Sequence, residues 1–467
     1  MAAKLFKNVS KIITMNDQGE VLTDHDLLVK NGRIARISPE ISQTGRNSGD
    51  DMEVINSEDF FMYPGLINTH HHFYQVLTRN IRAVQDVELF DWLKFLYPIW
   101  SHLDAEAVYF STLAAAAELL KTGCTTTVDQ FYVFPDQSDK KLIDQEFSAA
   151  EDIGIRLHAC RGSMSLGQDE GGLPPNSVVQ SEEEILEDTR RVISEYHDSN
   201  PFARRRVIVS PCSPFSVTRE LMEKSIELAR NEGVLAHTHL AETQDEEEFC
   251  QSKFGCSPLE YMKEVGWLGD DVWFAHGVHL NEDELAELAE YNTGVAHCPI
   301  SNMKLSSGVA PLPRMLEKGV PVGLAVDGSA SNDSSDMIGE MKTCLLLHKL
   351  TSGITSVGPE DILRLATRGG SEILQQPRLG SLEEGQAADL FMLNSKRVGL
   401  AGGLSDPISA LINTGVNNRV DMTVVAGEIV VRQGRVVSLD EKEISERTNE
   451  IASRMLAEEG IDYETGH

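Results

Sequence analysis

The run Pro64-Gly65-Leu66-Ile67-Asn68-Thr69-His70-His71-His72 constrains this chain more than any other stretch. A β-prone segment leads into Pro-Gly, a short apolar piece follows, and three histidines close it. Alternate residues of an extended segment face one side, so His70 and His72 aim two imidazoles at one point while His71 turns away. Two converging ring nitrogens at a strand end suit a zinc-type cation. A polar loop that is merely His-rich is the plainer reading, and the rest of the chain must supply further ligands to displace it.

The segments that follow alternate strand and helix. Apolar strands are predicted at 125–129, 155–160, 206–210, 234–239, 272–276, 293–297 and 320–327, with helices at 105–122, 142–153, 182–196, 218–231, 257–266 and 282–291 between them. With the strand at the histidine run this makes eight, the pattern of a parallel (β/α)8 barrel. Such a barrel occupies ~250–400 residues as one domain, which a chain of 467 residues accommodates. Short strands lie at both chain ends, broken near the start by Asn-Gly, Asp and Ser turn signals, including a tight hairpin at Lys30-Asn31-Gly32-Arg33, and near the end by Gly427, and neither set is thick enough to stand alone. We therefore expect an α/β fold in which residues 1–63 and 378–440 build one composite β-sandwich domain, 64–377 form the TIM barrel, and 441–467 are a C-terminal helix and tail. The Gly- and Pro-rich segment 163–181 reads as a long loop over the barrel mouth.

A barrel carries its chemistry at the C-terminal strand ends. There the first strand offers His70 and His72, the fifth His239 and then Glu242, the sixth His276, and the eighth Asp327. A solvated rim would supply polar residues, but not imidazole and carboxylate preferentially. His70, His72 and His239 with Asp327 make a mononuclear site open to water. Asp327 is suited to hold the ion and to accept a proton from that water. His276 lies near enough to ligate or to hydrogen-bond the attacking hydroxide, and Glu242 is placed to carry a proton to the leaving group. A two-metal site would want a bridging residue on the fourth strand, often a modified lysine; RVIVSPCSP has none, so one divalent ion is expected, Zn2+ first, with Fe2+ also accepted by this ligand set. His237 reads as a barrel-core histidine one layer below His239, with ligation second. His71, His158, His279 and His297 read as structural, and His297, ending the seventh strand, as a second-choice substrate contact.

The stretches PGLINTHHHFYQ, HTHLAE, FAHGVHL, HCPISNMKLSSG and VDGSASND resemble the amidohydrolase superfamily, in its branch of cytosine- and guanine-type aminohydrolases, over essentially the whole chain. RGSMSLGQDEGGLPPNSVVQ and SPCSPFSVTRELM are most similar to the 8-oxoguanine deaminases, with triazine hydrolases as near neighbours. The resemblance implies metal ligation by His70, His72, His239 and Asp327, catalysis by Glu242 and His276, and hydrolytic release of ammonia from a heteroaromatic amine. It also implies that Gln75 hydrogen-bonds the base, since an amide donates and accepts at once and matches a lactam edge. Guanine deaminases carry Arg-Phe after the strand-four proline; Cys212 stands there instead, which disfavours plain guanine and leaves 8-oxoguanine, a related oxopurine or a pterin. Arg161, at the end of the third strand, is a candidate replacement contact, and Phe73, Tyr74, Trp92 and Trp100 are candidate walls for a flat pocket, or core residues.

The expected substrate is thus a small heterocycle. The alternatives are an s-triazine amino- or alkylaminohydrolase and a non-catalytic scaffold; a scaffold should have lost ligands, and this chain keeps every one. A formal charge of −32 repels nucleic acid and anionic membranes. No apolar run approaches the ~20 residues that cross a bilayer. The polar start and seven scattered cysteines without a Cys-x-x-Cys pair suggest a reduced, cytoplasmic protein. A homo-oligomer is expected.

Overall fold

The structure, a computed structural model, describes residues 3–42, 52–139, 141–414 and 419–463. Eight parallel strands, Leu66–Asn68, Cys124–Phe131, Arg156–Ser163, Arg205–Pro211, Ala236–Leu240, Val272–His276, Gly294–His297 and Val322–Leu324, lie side by side in chain order. The barrel closes between its first and last strands, where Thr69 N–H donates to the Leu324 carbonyl and Asp327 N–H to the His70 carbonyl, both at 3.2 Å. Closure therefore makes His70 and Asp327 backbone neighbours.

Alternation along each strand decides what faces inward. Ile67, Val128, Cys160, Ile208, Trp273, Ala296 and Ala325 pack together in the barrel interior. Leu66, Leu157, Val207 and Val295 point the other way, into the core shared with the helices. The outer helices carry their own start and stop signals. Ser181 and Glu184 form a capping box that opens Glu182–Tyr196, and Gly154, left-handed at φ 90°, closes Leu142–Ile153.

A second sheet of nine strands, mostly antiparallel, is built from both chain ends. Leu390–Asn394 runs antiparallel to Phe60–Pro64, so the C-terminal strands extend a sheet begun by the N-terminal ones. Phe6, Val9, Ile12, Leu27, Met62, Leu390 and Val424 give it a core of its own. Its hairpin pairs Lys30 with Arg33 across Asn31 and Gly32, at φ 51° and 73°. Two successive positive φ values are what a two-residue turn matched to strand twist demands. The buried Arg156 guanidinium grips Asp389 through two nitrogens at 3.0 and 3.1 Å, joining the third barrel strand to this sheet.

Segment 163–181 is a loop with short turns at Gln168–Glu170 and Asn176–Val178, whose Ser165 and Leu166 N–H both donate to the Ser216 carbonyl, and none of its residues lines the cavity at the mouth. The barrel mouth is lined by Leu89–Trp100, a helix absent from the sequence reading although Leu89, Trp92, Leu93, Leu96, Tyr97 and Trp100 fall at helical spacing and are buried. No helix among the described residues is long and apolar enough to cross a membrane.

Candidate active site

His70, His72, His239, His276, Glu242 and Asp327 meet, buried, at the C-terminal end of the barrel. Nitrogens of His70, His72 and His239 all lie within 4.8 Å of one another, as do donor atoms of His70, His276 and Asp327. The His72 and His239 Nε2 atoms are 3.1 Å apart, and Asp327 Oδ1 is 3.3 Å from the Nε2 of both His70 and His72. His276 and Asp327 hold left-handed backbones, φ 76° and 62°. That conformation costs a Cβ-bearing residue ~1–3 kcal/mol, and here it turns each side chain back over the mouth.

The other nitrogen of each ring is committed. His72 Nδ1–H donates to the Gln130 carbonyl at 2.8 Å and His239 Nδ1–H to the Cys212 carbonyl at 2.7 Å. His276 Nδ1–H donates to Asn302 Oδ1 at 2.9 Å. His70 is held at one remove: His237 Nδ1–H donates to the Trp273 carbonyl at 2.9 Å, which leaves His237 Nε2 to accept from His70 Nδ1–H at 2.8 Å. Carbonyls and an amide oxygen only accept, so these bonds set the tautomers. The Nε2 atoms of His70, His72 and His239 then present lone pairs inward, while that of His276 faces Glu242. Burial pushes His70 and His239 well below the usual imidazole range and lowers His72 as well, so these rings are neutral.

This donor set fits a metal ion. Lone pairs 3.1–3.3 Å apart repel with nothing between them, and His70 Nε2 is buried without a hydrogen-bond partner. A tetrahedral ion with bonds of ~2.0–2.1 Å spaces its ligands by roughly 3.3 Å. The carboxylate is prepared in the same way. Gly328 N–H donates to Asp327 Oδ1 at 2.7 Å, and Ser301 and Ser331 hydroxyls donate to Oδ2 at 2.5 and 3.0 Å. Burial opposes ionisation of Asp327, but the close approach of His70 and the neighbouring imidazoles outweighs it and holds the acid well below the ordinary range.

Glu242 Oε2 stands 3.5 Å from His276 Nε2. Burial lifts the Glu242 carboxyl to about 7, against the pull of His276. Burial also presses His276 down, but Glu242 and Asp327 overcome it and leave its pKa raised. The pair is thus poised to trade a proton near neutrality.

The rest of the cavity is lined by residues that include Gln75, Trp92, Tyr97, Tyr132, Cys212 and Phe215. Gln75 Oε1, Trp92 Nε1 and Tyr97 Oη are buried with no protein partner. Gln75 reaches the mouth only because residue 328 is glycine: a Cβ there would sit 1.9 Å from Gln75 Oε1. Cys212 lines the cavity, and burial pushes its thiol up to about 12, so it stands there as a neutral thiol.

Arg161 is not brought to the site. Cys160 faces the barrel interior, so its neighbour faces out, where Arg161 donates to Asp188 at 2.8 Å and Gln180 at 2.9 Å and stacks on Phe134. His297 likewise faces away from the mouth. Of the four proposed aromatic walls, Trp92 lines the cavity, whereas Trp100 donates to Thr78 within the core at 3.1 Å. Sequence reasoning missed Ser301, Asn302 and Ser331, although all three lie in the HCPISNMKLSSG and VDGSASND stretches, and missed Tyr97, whose helix was not foreseen.

The amidohydrolase family profile matches residues 61–430. The chain is 42% identical over 431 residues to 8-oxoguanine deaminase of Pseudomonas aeruginosa, covering 92% of this chain and 95% of that protein. It is 37% identical over 465 residues to hydroxydechloroatrazine ethylaminohydrolase of Pseudomonas sp. (strain ADP), covering 98% and 96%. It superposes with a TM-score of 0.91 on atrazine chlorohydrolase from Arthrobacter aurescens TC1 complexed with zinc, at 30% identity over 96% of this chain and 100% of that one.

Proposed function

This chain belongs to the amidohydrolase family and is a hydrolase of carbon–nitrogen bonds, and we propose that within it the protein deaminates 8-oxoguanine or a closely related oxopurine or pterin. The observation that carries the chemistry is the convergence of three bare imidazole nitrogens with an ionised Asp327 beside the His276–Glu242 pair. His70, His72, His239 and Asp327 would hold one divalent ion, zinc in the first instance. Such an ion supplies Lewis acidity that brings the pKa of water near 7.

The remaining work falls to protein groups. Asp327 takes a proton from water as its oxygen bonds to the amine-bearing ring carbon. His276, within reach of the same space, donates to the incoming oxygen. Glu242, held near neutrality by burial, protonates the ring nitrogen and takes a proton back from the adduct's hydroxyl, while Asp327 passes the water's proton to the departing nitrogen, so the carbon–nitrogen bond breaks and ammonia leaves. The tetrahedral carbon collapses to a carbonyl, and water has replaced the amine.

The cavity's unpaired groups support a flat, polar-edged substrate. Gln75 offers a donor and an acceptor, Trp92 Nε1 a donor, and Tyr97 Oη either. Leu89, Leu93 and Phe215 supply apolar walls for ring faces. The 8-oxoguanine reading rests on these groups, on Cys212 after Pro211 and on the 42% relative. A triazine alkylaminohydrolase is the second reading, favoured by the relative that spans 98% of the chain.

The test is a substrate panel on purified, metal-analysed protein. Ammonia release and an ultraviolet change with 8-oxoguanine, at a kcat/KM well above that for hydroxyatrazine, is the expected result. Preference for the triazine would overturn the purine assignment, and inactivity on both with metal restored would overturn the deaminase reading of this site.

A further inference from the structure

A second group of metal-binding side chains is buried outside the barrel mouth. Ala296 and Cys298 belong to the barrel interior, so His297 between them turns outward, toward the helix Met337–Ser352. That helix presents Cys344 and His348, four residues apart and so on one face. One donor atom from each of His297, Cys344 and His348 lies within 4.8 Å of the other two, and all three residues are buried. The imidazoles approach at 2.9 Å between their Nε2 atoms, yet the Nδ1 of each is buried without a partner.

Hydrogen bonding between the rings uses one nitrogen of each and leaves the other orphaned. An orphaned buried polar atom costs ~1–3 kcal/mol. Nothing in the catalytic arrangement draws on this cluster: it lies on the far side of the seventh strand from the cavity, and none of its residues lines that cavity. We propose that His297, Cys344 and His348 form a second metal site, selective for a thiophilic ion of the zinc class. Two nitrogens with one sulfur are a ligand set that such an ion accepts. Burial keeps both imidazoles neutral, His348 at about 4, so their lone pairs are available at pH 7. Burial also holds the Cys344 thiol protonated while the site is empty. Binding forms the sulfur–metal bond as the S–H bond breaks, and the proton passes to solvent. The ion would staple the seventh strand to the helix that follows the loop bearing Asp327.

Cobalt(II) tests this without relying on turnover. Protein stripped by a chelator and reloaded should bind two equivalents and show a sulfur-to-cobalt charge-transfer band in the near ultraviolet, because the barrel-mouth ligands are nitrogen and oxygen alone. Cys344→Ser should fall to one equivalent and lose the band. A wild-type protein that binds one equivalent with no such band overturns the proposal, as does a band that survives in Cys344→Ser. The wild-type stoichiometry and spectrum decide the matter even where the variant does not fold.

Discussion

The relay from the Trp273 carbonyl through His237 to His70 predicts that a residue touching neither metal nor substrate controls metal affinity. His237→Phe keeps a ring of similar breadth, so its stacking on Trp273, with centroids 4.5 Å apart and planes 15° off parallel, is preserved. It removes both hydrogen bonds, at 2.8 and 2.9 Å, and leaves His70 Nδ1–H facing carbon. An unmet buried donor costs ~1–3 kcal/mol, and the ring escapes that cost by moving its proton to Nε2 or by turning, either of which withdraws the ligand. At ~1.4 kcal/mol per tenfold, the metal Kd should weaken by about 5- to 100-fold. Competition against a fluorescent chelator measures it, with kcat read at saturating metal to separate affinity from chemistry. A His237→Phe protein that binds metal within threefold of wild type would refute the tautomer relay.

Three further outcomes follow from the geometry. Glu242→Gln should retain its metal but lose ~10²–10⁴ in kcat, the usual worth of a general acid–base group; unchanged turnover removes Glu242 from the reaction. Gly328→Ala places a Cβ 1.9 Å from Gln75 Oε1, so it should raise KM with metal content intact, and in a Gln75→Ala background it should add nothing more. Glu146, buried with both carboxylate oxygens unpartnered, is held well above its ordinary pKa by burial and by Asp129, which burial also raises. A raised acid contributes most to stability below its unfolded pKa of ~4.3 and loses that contribution as pH climbs toward the folded value. Glu146→Gln should therefore melt less steeply between pH 5 and 8 than wild type; parallel curves in a thermal scan would exclude the pair as the cause.

The barrel and the side chains that gather at its mouth were legible because period-two alternation and strand ends are written locally. His70-x-His72, the acid three residues beyond His239, and Asp327 at the end of an apolar run are positional facts that a fold with chemistry at one end converts into a cluster. The same alternation turns Arg161 away, since Cys160 beside it is apolar and faces inward, and nearness to a strand end does not by itself bring a side chain to the mouth. Tyr97 was hidden for a different reason. Its helix covers the mouth by packing its apolar face on the site, a tertiary gain that local propensity does not encode.

The amino-acid order by itself thus determined which side chains are available as ligands and on which face of each strand they stand. Only tertiary structure decided which nitrogen of each ring is free, because that depends on carbonyls of other strands: Gln130 for His72, Cys212 for His239 and, through His237, Trp273 for His70. An imidazole has two equivalent-looking nitrogens in sequence, and they become different only when one of them is given an acceptor.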